Sequence, residues 1–265
     1  MPTVQFLGTA GYHPNETRQT VCAFLPEFGI VLDAGTGAFR LRGQINLPRL
    51  DIFLSHLHLD HSAGVTYLLN VLWGTSVSAR FWGLPAHLGA LREKLFGGEL
   101  FPLEFGGEAC PYKTEDAPTT KWVGLLKEGV TETFSVTAKE LPHPGGSVGY
   151  RFVFPNSKVL VYVTDTTCSP DYLDFVRGAD ILIHECNFPD TIPGMKQWSG
   201  KELAEKTSHS WASGVAELAL SAQVKQLVLT HLNPLDPSID PTHQDDSAAR
   251  HPNTVIAKDG MILKF

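Results

Sequence analysis

The chain is poor in thiols, in positive charge and in long apolar runs. Only four cysteines occur among its 265 residues, at Cys22, Cys110, Cys168 and Cys186, and no two of them form a C-x-x-C pair. That spacing excludes a disulfide framework and a thiolate zinc knuckle, and points to reduced thiols in a cytosol. Lysine and arginine number 21 against 28 acidic residues, a net charge of −7. Such a field repels polyanions, so a nucleic-acid partner would need a local basic patch and is not favoured by charge. No apolar run approaches the roughly 20 residues of a membrane-spanning helix. The opening Met1-Pro-Thr-Val-Gln-Phe-Leu-Gly8 also lacks a basic segment followed by an apolar one. Export and a membrane partner are therefore not expected, and the expected location is cytoplasmic. A G-x-S-x-G nucleophile elbow and a P-loop are missing too, and Gly8-Thr-Ala-Gly11 is too sparse for a dinucleotide fingerprint.

What is present fits a folded α/β unit. Hydrophobic residues make up 43%, and no low-complexity linker divides the chain, so residues 1–265 are read as a single domain. Short apolar runs between turn residues predict strands at 4–7, 20–25, 30–32, 51–54, 134–137, 150–154 and 159–163. Helical periodicity follows at 61–72, 86–95 and 210–222. In the last, Val215, Leu218 and Ala219 share a face, with Ser208 or Ser210 as the N-cap. Residues 82–122 are rich in Gly, Pro and aromatics, and read as a helix plus an irregular loop insertion, either packed or substrate-facing. The polar stretch 236–251 predicts solvated His243 and His251.

Histidine carries the chemistry. There are 11, and three fall within Ser55-His56-Leu57-His58-Leu59-Asp60-His61, between a strand and a helix. A chance H-x-H-x-D-H match is expected in roughly one sequence in a thousand of this composition. In an extended segment, residues two apart point the same way, so His56 and His58 can share one ion. The turn into the helix re-aims Asp60 and His61 toward a second. Imidazole and carboxylate donors suit zinc first, with manganese or iron as alternatives. Candidates to complete the two halves stand at later strand ends: His143, Asp165 and His231. Two divalent ions would lower the pKa of a shared water and polarise the group under attack, which implies hydrolysis.

These residues resemble the metallo-β-lactamase superfamily, whose H-x-H-x-D-H motif is matched by His56, His58, Asp60 and His61, with His143, Asp165 and His231 in order. The resemblance implies a four-layer αββα sandwich. It implies that His56, His58 and His143 hold one ion, that Asp60, His61 and His231 hold the other, that Asp165 bridges, and that Asp33 supports them. Within that superfamily the chain is similar to the ribonuclease Z and phosphodiesterase branch, through Phe6-Leu-Gly-Thr9, Ile183-His184-Glu185 and Ser208-His209-Ser210. By that likeness Glu185 orients His209, which acts as general acid, so Asp60, Glu185 and His209 are the catalytic candidates.

The departures shape the expectation. The turn reads Asp33-Ala-Gly-Thr-Gly37 where that branch carries Asp-Cys-Gly, and no basic arm is evident: Lys113, Lys121 and Lys127 alternate with Glu104, Glu108, Glu115 and Asp116. A dinuclear metal-dependent phosphodiesterase using a hydroxide shared between the metals is therefore expected, on a small-molecule or nucleotide phosphodiester. The alternatives are a ribonuclease Z-like endonuclease cutting transfer RNA at its 3′ side, a carboxylic ester, lactone or β-lactam hydrolase, and a non-enzymatic metal-binding module. Trp73, Trp82 and Trp198 are read as buried aromatics or as anchors of a homodimer.

Overall fold

The computed structural model describes residues 1–112, 120–125, 131–192, 194–234 and 250–265. Lys113, Glu115, Asp116, Lys127 and His243 lie outside the described residues, as do the side chains of Lys121 and Trp122.

Strands form where β-branched and aromatic residues are bounded by turn residues. One sheet holds β1 (Thr3–Gly8), β2 (Cys22–Leu25), β3 (Ile30–Leu32), β4 (Arg49–Phe53), β5 (Ser78–Gly83), β6 (Glu108–Pro111) and β14 (Ile262–Lys264). The other holds β7 (Thr120–Leu125), β8 (Thr131–Leu141), β9 (Ser147–Val153), β10 (Val159–Val163), β11 (Ile181–Glu185), β12 (Leu227–Thr230) and β13 (Thr254–Ile256). Their orders are β14-β1-β2-β3-β4-β5-β6 and β13-β12-β11-β10-β9-β8-β7. In the first sheet β3, β4, β5 and β6 run parallel, and in the second β10, β11, β12 and β13 do.

Side-chain alternation divides the core into three slabs. Phe53, Tyr150, Phe152, Tyr162 and Ile183 meet between the two sheets. Leu50, Ile52 and Leu54 face the other way, onto Val65, Leu68, Val71 and Leu88. Val161, Val163, Leu182 and Leu229 face Val176, Val215, Ala216 and Ala219. The result is helix, sheet, sheet, helix, the expected αββα sandwich. Because both faces of β3, β10 and β12 are covered, their sequences are almost wholly apolar. Each large side chain so buried contributes about 1.5–3 kcal/mol, and the Tyr150 hydroxyl avoids a desolvation cost by donating to Leu54 O at 2.6 Å.

The helices differ from the sequence reading in detail. Residues 61–72 do not form one helix but α1 (Leu59–Ser62), a 3-10 stretch (Ala63–Tyr67) and α2 (Leu68–Val71). The segment presses so closely on residues 34–35 that a Cβ on Gly64 would lie 2.1 Å from Gly35 O. Residues 85–95 form α3 (Pro85–Ala90) and a π-helical turn (Leu91–Leu95). The stretch 82–122 is less irregular than expected, since β6 and β7 add one strand to each sheet. A short α4 (Leu173–Val176) precedes α5 (Gly200–Thr207), which the sequence reading omitted although Ser199 and Glu202 form a capping box. Neither Ser208 nor Ser210 caps α6 (Ala212–Ser221), which starts after Trp211. Ser210 Oγ donates instead to Thr166 O, and Asp190 accepts from Ser213 N, capping the helix from a distant loop. His251 is buried, not solvated, with Nε2 bonded to Val224 O at 2.9 Å. Trp73 is 80% exposed, whereas Trp82 and Trp198 are half-buried. Among the described residues, no helix is long and apolar enough to cross a membrane.

Candidate metal centre

The parallel strands β3, β4, β10, β11 and β12 deliver polar residues from their C-terminal ends to one edge of the sandwich, where α/β folds build sites. Three of those residues, Asp33, Asp165 and His231, adopt left-handed backbone with φ of 53°, 51° and 53°. Each costs about 1–2 kcal/mol for a residue with a Cβ. The turn swings each side chain off the strand direction and onto the edge. His143 arrives after β8 on a loop that turns back through Gly145 and Gly146, at φ 84° and 81°.

The seven residues named from the sequence converge. One ligand atom from each of His56, His58, His143 and Asp165 lies within 4.8 Å of the others, and the same holds for Asp60, His61 and His231. Asp165 faces both groups: Oδ2 is 3.5 Å from His56 Nε2 and 3.4 Å from His143 Nε2, while Oδ1 is 3.1 Å from His61 Nε2 and 3.3 Å from His231 Nε2. Buried His56 Nε2 and His61 Nε2 have no hydrogen-bond partner. Unsatisfied ring nitrogens turned toward carboxylate oxygens are donors waiting for a cation, so the cluster fits metal ions.

The opposite ring nitrogens are tied down. His61 Nδ1 donates to Asp33 Oδ2 at 2.8 Å and His143 Nδ1 to Ser208 O at 3.2 Å. His56 Nδ1 lies 3.0 Å from Ser55 Oγ, which itself donates to Asp33 Oδ2 at 2.7 Å. Fixing Nδ1 in this way leaves Nε2 lone pairs aimed at the centre.

The matching family model is described as a beta-lactamase superfamily domain and spans residues 29–232, from β3 to just past His231. The chain belongs to the beta-lactamase superfamily. Family and cluster together make it a metal-dependent hydrolase. A protein named Ribonuclease Z from Gemmatimonas aurantiaca is 29% identical over 307 aligned residues, covering 99% of this chain and 95% of the relative. Among solved structures, YhfI, a metallo-beta-lactamase fold protein from Bacillus subtilis, superposes with a TM-score of 0.73 at 20% identity, covering 99% of each chain. The short form of human tRNase Z gives 0.70 at 22% identity over 99% of this chain and 98% of that one.

Electrostatics in this superfamily site separate its groups sharply. Burial pushes the His56 and His143 imidazoles below their ordinary range. Burial would raise Asp165, but His231, His61 and His56 hold it well below the carboxylate range, and His61 and His231 do the same for Asp60. Two anionic carboxylates among five imidazoles are a donor set matched to divalent cations.

Glu185 and His209 stand beside the cluster. Glu185 is wholly buried, accepting from Thr166 N at 2.6 Å through Oε1 and from His209 Nδ1 at 2.9 Å through Oε2. The His209 ring lies 5.3 Å from that of His143 and 5.5 Å from that of His231. Burial lowers its pKa, yet the Glu185 carboxylate outweighs this and lifts it to about 9. A cleft of about 570 Å³ opens here, lined among others by Tyr12, His58, Asp60, His209 and His231.

Tyr12 and Asn187 are among the contributors that the sequence does not reveal. Tyr12 N donates to Asp60 Oδ2 at 2.7 Å, and Asn187 Nδ2 lies 3.3 Å from His231 Nδ1. A backbone N–H leaves no mark in a sequence. Asn187 follows Glu185 at a strand end, the one signal that pointed to it.

Proposed function

We propose that the protein hydrolyses phosphodiesters, with one divalent cation in each half of the cluster, zinc foremost and manganese or iron as alternatives. His56, His58 and His143 would hold one ion and Asp60, His61 and His231 the other, with Asp165, which faces both groups, available to either. Two such ions supply Lewis acidity, bring a water's pKa toward neutrality and offset the charge developing on phosphorus-bound oxygens.

The observation that carries the reading is the 2.9 Å contact between Glu185 and His209 at the cleft wall. A hydrolase that expels a poor leaving group needs a proton placed beside it. Glu185 keeps the imidazole protonated and turned, with Nδ1 committed to the carboxylate and Nε2 left to donate to the departing oxygen. His209→Ala should keep its metals yet lose about 10²-fold or more in turnover of an alkyl diester, with less loss on an activated nitrophenyl ester. Equal losses on both would remove His209 from the acid role.

RNA is the second reading, supported by the full-length similarity to a protein named Ribonuclease Z. The net charge of −7 opposes it. Incubating metal-loaded protein with a transfer RNA carrying a 3′ extension separates the two. Cleavage that weakens steeply with salt supports RNA, and no cleavage beside active diester turnover supports a small substrate.

A further inference from the structure

A second cavity adjoins the metal-side cleft. It measures about 300 Å³ and shares Leu57, His58 and Leu59 with the larger cleft, so the two border each other along the H-x-H-x-D-H segment. Its far walls are Ala90 on α3, Leu91 and Leu95 on the π-helical turn, and Leu100 beyond it. Among the described residues that line it, Lys94 alone carries a full charge. Leu59 and Leu100 leave 67% and 75% of their surface open at its rim. Apolar rims around a polar reaction centre usually mark where an apolar part of a ligand is covered.

The chamber is also fastened to the metal cluster. His87, on α3 and 7% exposed, donates from Nε2 to Gly145 O at 2.9 Å, on the loop that carries His143. Its Nδ1 is buried without a hydrogen-bond partner. A π-turn is a rare distortion that functional sites tolerate, and here it brings Leu91, Lys94 and Leu95 onto the same wall.

We infer that this chamber is a specificity subsite for the substituent of the substrate that is not expelled, and that it takes an uncharged, apolar group the size of an aromatic ring. The inference rests on the phosphodiester reading for the position of the phosphorus beside His58. The walls suit a ring in size and polarity. One lysine would neutralise little of a polyanionic strand, so a further stretch of backbone phosphates is the wrong occupant.

The test is equilibrium binding, by calorimetry, of phenylphosphonate and methylphosphonate to zinc-loaded protein. The wild type should bind the phenyl compound about ten-fold or more tightly, the scale set by burying one ring. Ala90→Phe, which fills the chamber from the helix, should bring the ratio below about two-fold. Leu100→Glu, on the exposed rim and safe for folding, should reduce it about three-fold or more. Equal binding of the two phosphonates by the wild type, no binding of either, or a ratio untouched by both variants overturns the inference. Turnover of methyl 4-nitrophenyl phosphate by the same preparation tests the hydrolytic reading separately. Absent turnover with an intact binding ratio sinks that reading and leaves the chamber standing.

Discussion

His61 and Asp33 meet at 2.8 Å, Nδ1 to Oδ2, with no exposed surface on either side chain. The same carboxylate accepts from Ser55 N, Ser55 Oγ and Tyr162 Oη at 2.7, 2.7 and 2.6 Å. Through Ser55 it also reaches His56. One residue outside the proposed ligand set therefore orients an imidazole in each half of the cluster.

Asp33→Asn should weaken metal binding by about 10–100-fold, the usual effect of losing a carboxylate behind a ligating histidine. An amide cannot accept all of these donors, since donors face both oxygens and its NH₂ would oppose either Ser55 N–H or the group around His61 Nδ1–H. Competition with a chromogenic chelator measures the change. Unaltered affinity would mean that packing alone holds the ring.

The His209 imidazole, lifted to about 9 by Glu185 against the opposing effect of burial, is protonated below that pH and loses its proton above it. For an alkyl diester, kcat/KM should fall as pH rises through about 9, and Glu185→Gln should move that limb to lower pH. The contribution to stability has the same sign, present in full below the unfolded value and lost as pH rises through the folded one. A pH–rate profile indifferent to Glu185→Gln would assign the limb to another group.

Gly11 lies against the face of His231. A Cβ there would sit 2.5 Å from Cε1 and 2.6 Å from Nδ1, and Gly11 N is anchored to Leu232 O at 2.9 Å. Neither side can yield easily. Gly11→Ala should displace the imidazole, cut turnover about 10²-fold and reduce bound metal, with a stability loss of about 1–3 kcal/mol. Full metal content by elemental analysis would show that the ring moves aside without consequence.

Gln223 ends α6 in left-handed backbone at φ 55°. Its N–H bonds to Leu220 O and that of Val224 to Ala219 O, both at 3.0 Å, the pattern of a Schellman turn. Gln223→Gly should stabilise the protein by about 0.5–1 kcal/mol, because glycine adopts this conformation without the Cβ clash. Thermal unfolding should shift upward by about 1–4 °C. A downward shift would mean the Gln223 side chain contributes more than the turn costs.

Much of the site is readable because it is local. Residues 56–61 supply four candidate ligands within one strand-to-helix turn, and extended backbone alone aligns His56 with His58. The likeness of the strand ends also shows in the sequence, since Asp33 and Asp165, and His56 and His231, each follow a short, mainly apolar run. The capping box of α5 is equally visible at Ser199 and Glu202. The cap of α6 was not visible, since Asp190 reaches Ser213 N from 23 residues away. The break in residues 61–72 accompanies the hydrogen bond from Gly64 N to Ala34 O at 2.8 Å, which helical periodicity cannot register.

The order of residue types along the chain determined the donors of residues 56–61, the apolar strands and the mixed α/β class of the fold, because each depends on neighbours within a few positions. The tertiary structure alone decided that Asp33 serves two histidines, that Tyr12 N steadies Asp60 and that a leucine-walled chamber opens beside His58. Those relationships depend on hydrogen-bond direction and close approach between segments far apart in sequence. Such distances are set by how two sheets pack and where their loops close, which local preference does not encode.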